Sequence, residues 1–392
     1  MAELLSLDEA LVQILERARP LALEDVALAD AAGRVLAEGA RARVDLPPFD
    51  SSAMDGYALR SRDTPGELPV VARIAAGLPA SRALEPGEAM AIATGGVVPA
   101  GADAVVQLEV VEELDGSLRV SDAVAEGAHV RPRGGDLRAG DEVVPAGTRL
   151  GPAQLGALGA AGVAGVRCAR RPRVAVLATG TELRPPGEPL APGQIYDANG
   201  VMLAAQVVAA GGVPAPLAAV GDDGASHREA LARALERDVV VSSGGVSVGP
   251  HDLVRTVGAE LGVEEIFWRV AVKPGKPVWF GVRGETLVFG LPGNPVSSLV
   301  CFELFVRPAL AALQGLADPR PPFRDGTLAR PVRRNAARDE LVRARTMGGA
   351  LEPLAGQESH MIARAAGADA LVLVPRGEGE LAGGEPVRYL PL

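Results

Sequence analysis

This chain holds 37 arginines and only two lysines, and the two lysines lie three residues apart. Lys273 and Lys276 sit in the run Phe267-Trp-Arg-Val-Ala-Val-Lys-Pro-Gly-Lys-Pro277. An ammonium is a compact point charge with rotatable donors, whereas a guanidinium is a planar fork. A Pro/Gly-bounded turn that keeps lysine where the rest of the chain uses arginine suits a small cation beside an oxyanion. A general bias toward arginine explains why lysine is scarce, but not why both lysines share one turn.

Three loops carry small polar residues after short apolar runs: Val174-Ala-Val-Leu-Ala-Thr-Gly-Thr-Glu182, Val239-Val-Val-Ser-Ser-Gly-Gly-Val-Ser-Val-Gly249 and Leu287-Val-Phe-Gly-Leu-Pro-Gly-Asn-Pro-Val-Ser-Ser298. If the runs are strands of an open α/β sheet, these loops occupy its ligand-binding carboxyl edge. Glycines there let backbone N–H groups approach an anion closely. Glu182, Asp222 and Asp252 belong to the same set of loops. Carboxylates beside a phosphate cradle suit Mg²⁺, which takes one or two of them together with substrate phosphates. Asp223 reads as a solvated surface charge, and for Asp252 helix capping competes with metal binding. The four histidines (His129, His227, His251 and His360) show no HExxH spacing. No GxxxxGK[ST] or strand-following GxGxxG occurs, which removes the ordinary ATPase and dehydrogenase readings. What remains is chemistry by positioning and charge neutralisation.

The elements that must position these groups follow from pattern. Ser6-Leu-Asp-Glu9 predicts a capping box opening a helix through Ala18. A second helix is expected over 28–35, and one starting on Pro152 that returns beside the first two. From Pro47 to Arg138 short β-like runs alternate with Pro and Gly turns, a β-rich insertion. From Pro172 to about Gly315, buried-strand runs alternate with helices over 201–210, 226–237 (capped by Ser226) and 296–313, which implies a sheet between helix layers. The end of the chain reads as strands around a short helix near Ile362–Ala366, expected to form a small β-barrel. The fold class is therefore α/β plus β: a helical discontinuous domain (1–46 and 139–171), an inserted β-rich domain (47–138), a three-layer αβα domain (172–316) and a C-terminal β-barrel domain (317–392).

At 392 residues and 48% apolar content the chain can fill several cores, although aromatics supply only 3%. A net charge of −10 argues against nucleic acid and against an anionic membrane surface. Cys168 and Cys301 form no CxxC pattern, which argues against a thiolate metal site or a disulfide framework. Met1 to Pro20 is acidic and helical rather than a signal peptide, and no uninterrupted apolar run approaches roughly 18 residues. A cytoplasmic protein without a membrane partner is expected.

The chain resembles the molybdopterin molybdenumtransferase family, to which the E domain of gephyrin is also similar. The resemblance rests on Pro-Pro-Phe-Asp-Ser-Ser-Ala-Met-Asp-Gly-Tyr (47–57), Ala-Thr-Gly-Gly-Val-Val-Pro-Ala-Gly-Ala-Asp-Ala-Val-Val (93–106), Ser-Ser-Gly-Gly-Val-Ser-Val-Gly (242–249), Lys-Pro-Gly-Lys-Pro (273–277) and Gly-Leu-Pro-Gly-Asn-Pro-Val-Ser (290–297). It implies an elongated four-part subunit in a homodimer, and insertion of molybdate into the dithiolene of adenylylated molybdopterin with Mg²⁺ and release of AMP. It implies functional positions at Asp55, Thr94, Arg131, Asp136, Glu182, Asp222, Asp252, Lys273 and Lys276. In that scheme Lys273 and Lys276 hold the oxyanion. Glu182, Asp222 and Asp252 place Mg²⁺, Asp55 and Thr94 arrive from the other subunit, and Asp136 is a further catalytic position. Arg131, Ser243, Gly244, Gly245, Ser247, Asn294, Arg338 and Ser359 bind substrate. The resemblance leaves room for contact with the upstream adenylyltransferase. It departs after Gln357-Glu-Ser-His360, where Ala363-Arg364 replaces an expected serine pair and Asp369 an expected asparagine. Two other readings share parts of the pattern: an adenylyltransferase-type enzyme and a non-catalytic dimeric scaffold of the gephyrin E-domain type.

Overall fold

The computed structural model describes residues 4–217, 221, 223–245 and 253–392. Its centre is a six-stranded sheet in the order Val213–Pro216, Arg173–Ala178, Val239–Ser243, Thr286–Leu291, Trp279–Arg283, Glu264–Trp268. The first four strands run parallel; Trp279–Arg283 runs opposite to them, and Glu264–Trp268, antiparallel to it, returns to their direction. Successive residues of a strand point to opposite faces. Accordingly Val174, Val176, Val239 and Val241 enter one core, with Phe302 and Phe305, while Ala175, Val240 and Val288 enter another, with Leu231 and Val257. The parallel strands share one carboxyl edge, where the three polar loops begin.

The Ser6–Glu9 capping box forms as expected: the Glu9 N–H donates to the Ser6 hydroxyl at 3.2 Å and the Ser6 N–H to the Glu9 carboxylate at 2.8 Å. The helix stops at Leu15, short of Ala18, and its buried face (Leu7, Ala10, Leu11 and Ile14) joins the core of the central sheet. The second expected helix is absent. Leu23–Ala27 is instead a strand paired antiparallel with Gly165–Ala169, followed by a single 3₁₀ turn, Leu28–Asp30, and Gly33 at φ +72°. Partners some 140 residues away override the local helical pattern here. The parts over 1–46 and 139–171 are therefore not mainly helical: Leu23–Ala27 with Gly165–Ala169 and Ala40–Arg41 with Glu142–Val144 surround the helix Pro152–Ala160. That helix packs with Ala31, Leu36 and Val166, and shares no core with the first helix.

Between them lies a six-stranded sheet in the order Ala104–Gln107, Gly56–Leu59, Ala89–Ile92, Gly66–Ile74, Ser117–Val120, Glu112–Leu114. The last section pairs Asp339–Met347 with Ala370–Val374, Pro386–Pro391 and Arg324–Thr327 in turn, while Ala350–Pro353 flanks Asp339–Met347. A bridge from Leu328 to Leu351 links the far strand back to that flank. Val272–Lys273 leaves the central sheet and adds in parallel to Asp339–Met347, so the lysine turn is pinned to the C-terminal sheet.

One smaller expectation changes. Asp223, not Ser226, caps the helix Gly224–Ala234, accepting from the Ser226 N–H at 2.8 Å. This bond from the helix amide depresses the Asp223 carboxyl below the usual range. Also, Pro295–Leu313 is a 19-residue helix apolar enough to cross a membrane by length and composition, although Glu303, Arg307 and Pro308 interrupt its apolar run as expected. It is 89% buried and serves as a core helix, with a π-helical turn at Phe302–Val306.

Candidate functional site

Lys273 and Lys276 line one cavity of about 600 Å³, with Asn294, Ser297, Arg338, Gln357, Ser359 and His360 around it. The lysine turn forms here because Gly275 adopts φ +118° and lies against the core helix: a Cβ on Gly275 would stand 2.4 Å from the Cys301 sulfur. The Cys301 thiol donates to the Gly275 carbonyl at 3.6 Å, and burial pushes its pKa far up, so it is a neutral buttress under the turn. Lys276 is exposed to the cavity and, among the described residues, has no carboxylate partner, and the same holds for half-buried Arg338. Lys273 pairs with Glu340 at 2.9 Å.

The opposite wall comes from the C-terminal sheet. Asn294 donates to the Ser359 hydroxyl at 2.8 Å, and the Val296 N–H to the Ser359 carbonyl at 3.0 Å, latching the two parts together across the cavity. Beneath this wall Arg343 is 1% exposed and, among the described residues, forms no salt bridge. It donates instead to the carbonyls of Met361 (2.8 Å), Gly356 (2.7 Å) and Glu358 (3.2 Å), while Gln357 bonds the Arg343 backbone. Burial, partly offset by Glu358, lowers the Arg343 pKa. Satisfying its donors by carbonyls keeps the charge inside and fixes the 356–361 loop. The replacements noticed in the sequence fall elsewhere: Asp369 accepts from the Thr346 N–H at 2.8 Å, and Arg364 packs on Gly356.

The loops at the carboxyl edge of the sheet are tied to one another. The Thr179 N–H donates to the Ser243 carbonyl (3.1 Å) and the Gly244 N–H to that of Leu291 (3.0 Å). Gly244 adopts φ +94°, and a Cβ there would meet the Thr179 hydroxyl at 2.6 Å. Gly245 follows at φ +67°. Ser243, an expected substrate contact, is engaged within the protein. It is 3% exposed, its hydroxyl accepts from Asn199 at 2.8 Å, and it sits 3.1 Å from the Ser298 hydroxyl. Its role is to hold three loops together. Asn199, which pattern reading missed, also donates to the Gly293 carbonyl at 2.7 Å. Nothing local marks it, because its partners lie 44 and 94 residues away.

The remaining expected residues divide. Ser247, Asp222 and Asp252 lie outside the described residues. Glu182 is exposed at the end of the first loop and does not line the lysine cavity. Among the described residues no group of three or more His, Cys, Asp or Glu is arranged to hold a metal ion. Asp55 accepts from the Thr94 N–H (2.7 Å) and hydroxyl (3.0 Å), and these bonds, the amide first, lower its pKa. Arg131 reaches the Ala53 carbonyl at 3.5 Å, and Asp136 is exposed in the next turn. None of these four lines the lysine cavity of the same chain.

Comparison with known proteins agrees across the whole length. Residues 5–162 match the MoeA N-terminal region (domain I and II), 175–312 a probable molybdopterin binding domain, and 325–392 the MoeA C-terminal region (domain IV). The chain is 38% identical to molybdopterin molybdenumtransferase 2 of Mycobacterium tuberculosis over 97% of each protein. It is 34% identical to the molybdopterin molybdenumtransferase of Haemophilus influenzae, covering 99% of this chain and 98% of that one. A molybdopterin biosynthesis MoeA protein from Pyrococcus horikoshii superposes over 100% of both chains with a TM-score of 0.86 and 29% identity.

Proposed function

The chain belongs to the molybdopterin molybdenumtransferase family, an enzyme family of molybdenum cofactor biosynthesis that inserts molybdenum, and from that premise we propose that the lysine cavity binds the molybdate oxyanion. One observation carries this reading: the chain's only two ammonium groups line a single cavity with Arg338. A tetrahedral dianion needs compact charges converging from several sides, and a lysine turn facing an arginine supplies them. Asn294 and the Ser359 loop close one wall of the cavity around these charges.

The second substrate in this reading is adenylylated molybdopterin, assigned to the carboxyl edge of the parallel strands, with Gly244, Gly245 and Ser247 as its expected binding residues. Insertion into its dithiolene is accompanied by release of AMP. The donor set suits Mg²⁺: Glu182 is exposed at that edge and, among the described residues, unpaired, and Asp222 and Asp252 complete the set the reading assigns. When bound, Mg²⁺ neutralises diphosphate charge and makes AMP a better leaving group. Asp55, Thr94, Arg131 and Asp136 are assigned to the cavity of a second copy, since they do not reach the cavity of their own. The reading keeps a homodimeric, cytoplasmic, elongated subunit with a β insertion; the two-core central sheet supports its αβα layers and the Leu328–Leu351 bridge its terminal barrel.

The test is AMP release by the purified protein from adenylylated molybdopterin with molybdate and Mg²⁺. AMP formed only when molybdate is present is the expected result. Consumption of ATP to build the adenylylated compound would instead favour the adenylyltransferase-type reading. Binding without turnover would favour the scaffold.

A further inference from the structure

The two lysines are not equivalent, and the difference lies in a residue that the oxyanion never touches. Resting on the oxyanion reading above, we propose that Glu340 is a positioning residue for Lys273: it holds the ammonium in the cavity wall so that its remaining N–H groups face the anion.

The backbone creates the pair. Val272–Lys273 runs parallel to Asp339–Met347 in the register Val272 to Asp339 and Lys273 to Glu340, so both side chains leave the same face side by side. Val272 is buried, while the Lys273 side chain is 42% exposed and that of Glu340 only 12%. The Lys273 Nζ to Glu340 Oε1 distance is 2.9 Å. Glu340 lies behind Lys273. It lines a neighbouring cavity of about 480 Å³, whereas Lys273 and Gln357 line both cavities. Glu340 therefore meets the anion only through the ammonium.

An ammonium carries three donors on a flexible four-carbon stem. One donor spent on a largely shielded carboxylate removes most of the stem's freedom and leaves two. Lys276 has no such anchor among the described residues. A carboxylate near a dianion would by itself repel it, so the sign of the effect separates positioning from plain electrostatics.

The experiment is calorimetric molybdate binding by the full-length protein, together with initial rates against molybdate concentration and thermal unfolding as a check. Glu340→Gln should weaken molybdate about tenfold, the scale of one charge-assisted contact, mainly in KM rather than kcat. Glu340→Asp keeps the charge but falls short of the ammonium and should weaken binding in the same direction. In a Lys273→Met background Glu340→Gln should have no further effect. The proposal is overturned if Glu340→Gln tightens molybdate, or if its penalty is the same with and without Lys273. Failure of the oxyanion reading itself looks different: Lys273→Met and Lys276→Met would both leave molybdate binding unchanged.

Discussion

The lysine cavity and the Asp55–Thr94 turn differ in how much of a site one chain can build. The cavity is walled from two sides by the same polypeptide: the lysine turn and the helix cap Asn294 on one, Arg338 and the Ser359 loop of the C-terminal section on the other. Asp55 and Thr94 are just as well ordered by their mutual hydrogen bonds, yet they contribute nothing to that cavity. Hydrogen bonds between neighbours make a local motif; convergence of strand ends and packing of one sheet on another make a pocket.

Mutations can break that contrast or sharpen it. The largest effect is expected for Lys276→Arg, which retains charge but replaces a point donor by a fork. Turnover should fall on the order of a hundredfold with an unchanged unfolding temperature, and near-normal AMP release would remove the oxyanion role. Asp55→Ala should reduce turnover by about tenfold although it lies outside the cavity of its own chain. If the turn serves a second copy, mixing Asp55→Ala protein with Lys276→Met protein should regain part of the lost activity. No recovery after subunit exchange would place Asp55 in its own chain's site.

Smaller in activity is Gly275→Ala. The new methyl group meets the Cys301 sulfur and the backbone is left-handed at φ +118°, so a stability loss of about 1–3 kcal/mol and weaker molybdate binding are expected from unfolding curves and titration. The smallest effect on turnover belongs to Asp238→Asn, at the opposite, amino end of the same sheet. Burial pushes the Asp238 carboxyl up, but hydrogen bonds from Arg170 at 2.6 and 2.7 Å and from the Arg173 N–H at 2.8 Å hold it at about 2. A folded pKa below the unfolded one stabilises above the unfolded value, near 3.8, and that contribution disappears as pH falls through about 2. Asparagine should cost about 2 kcal/mol at neutral pH, with the wild-type advantage vanishing in acid melts and kcat unchanged.

What the residues announced, and what they concealed, follows the range of the interactions. The Ser6–Glu9 capping box, the helix on Pro152 and the runs around Val174, Val239 and Leu287 were legible because each depends on residues a few positions apart. The expected helix over 28–35 failed because the Gly33 N–H bonds to Leu150, Val35 bridges to Arg149 and Leu36 to Cys168. Ser243 looked like a ligand contact because a serine among glycines at a strand end is one from pattern alone. Its hydroxyl is taken up by Asn199 and Ser298, which pattern cannot supply. Glu340, Arg343 and Asn199 carried no local mark for the same reason.

By itself the order of residues determined where lysine was kept, which turns could bend as tightly as Gly275 and Gly244, and which segments form strands. Only the folded chain decided that the lysine turn would join the C-terminal sheet, that one ammonium would be tethered and its neighbour left open, and that the insertion's acid would not line their cavity. Chemical identity and local geometry are properties of adjacent residues. A cavity is a property of distant ones, set by the packing that brings their backbones together.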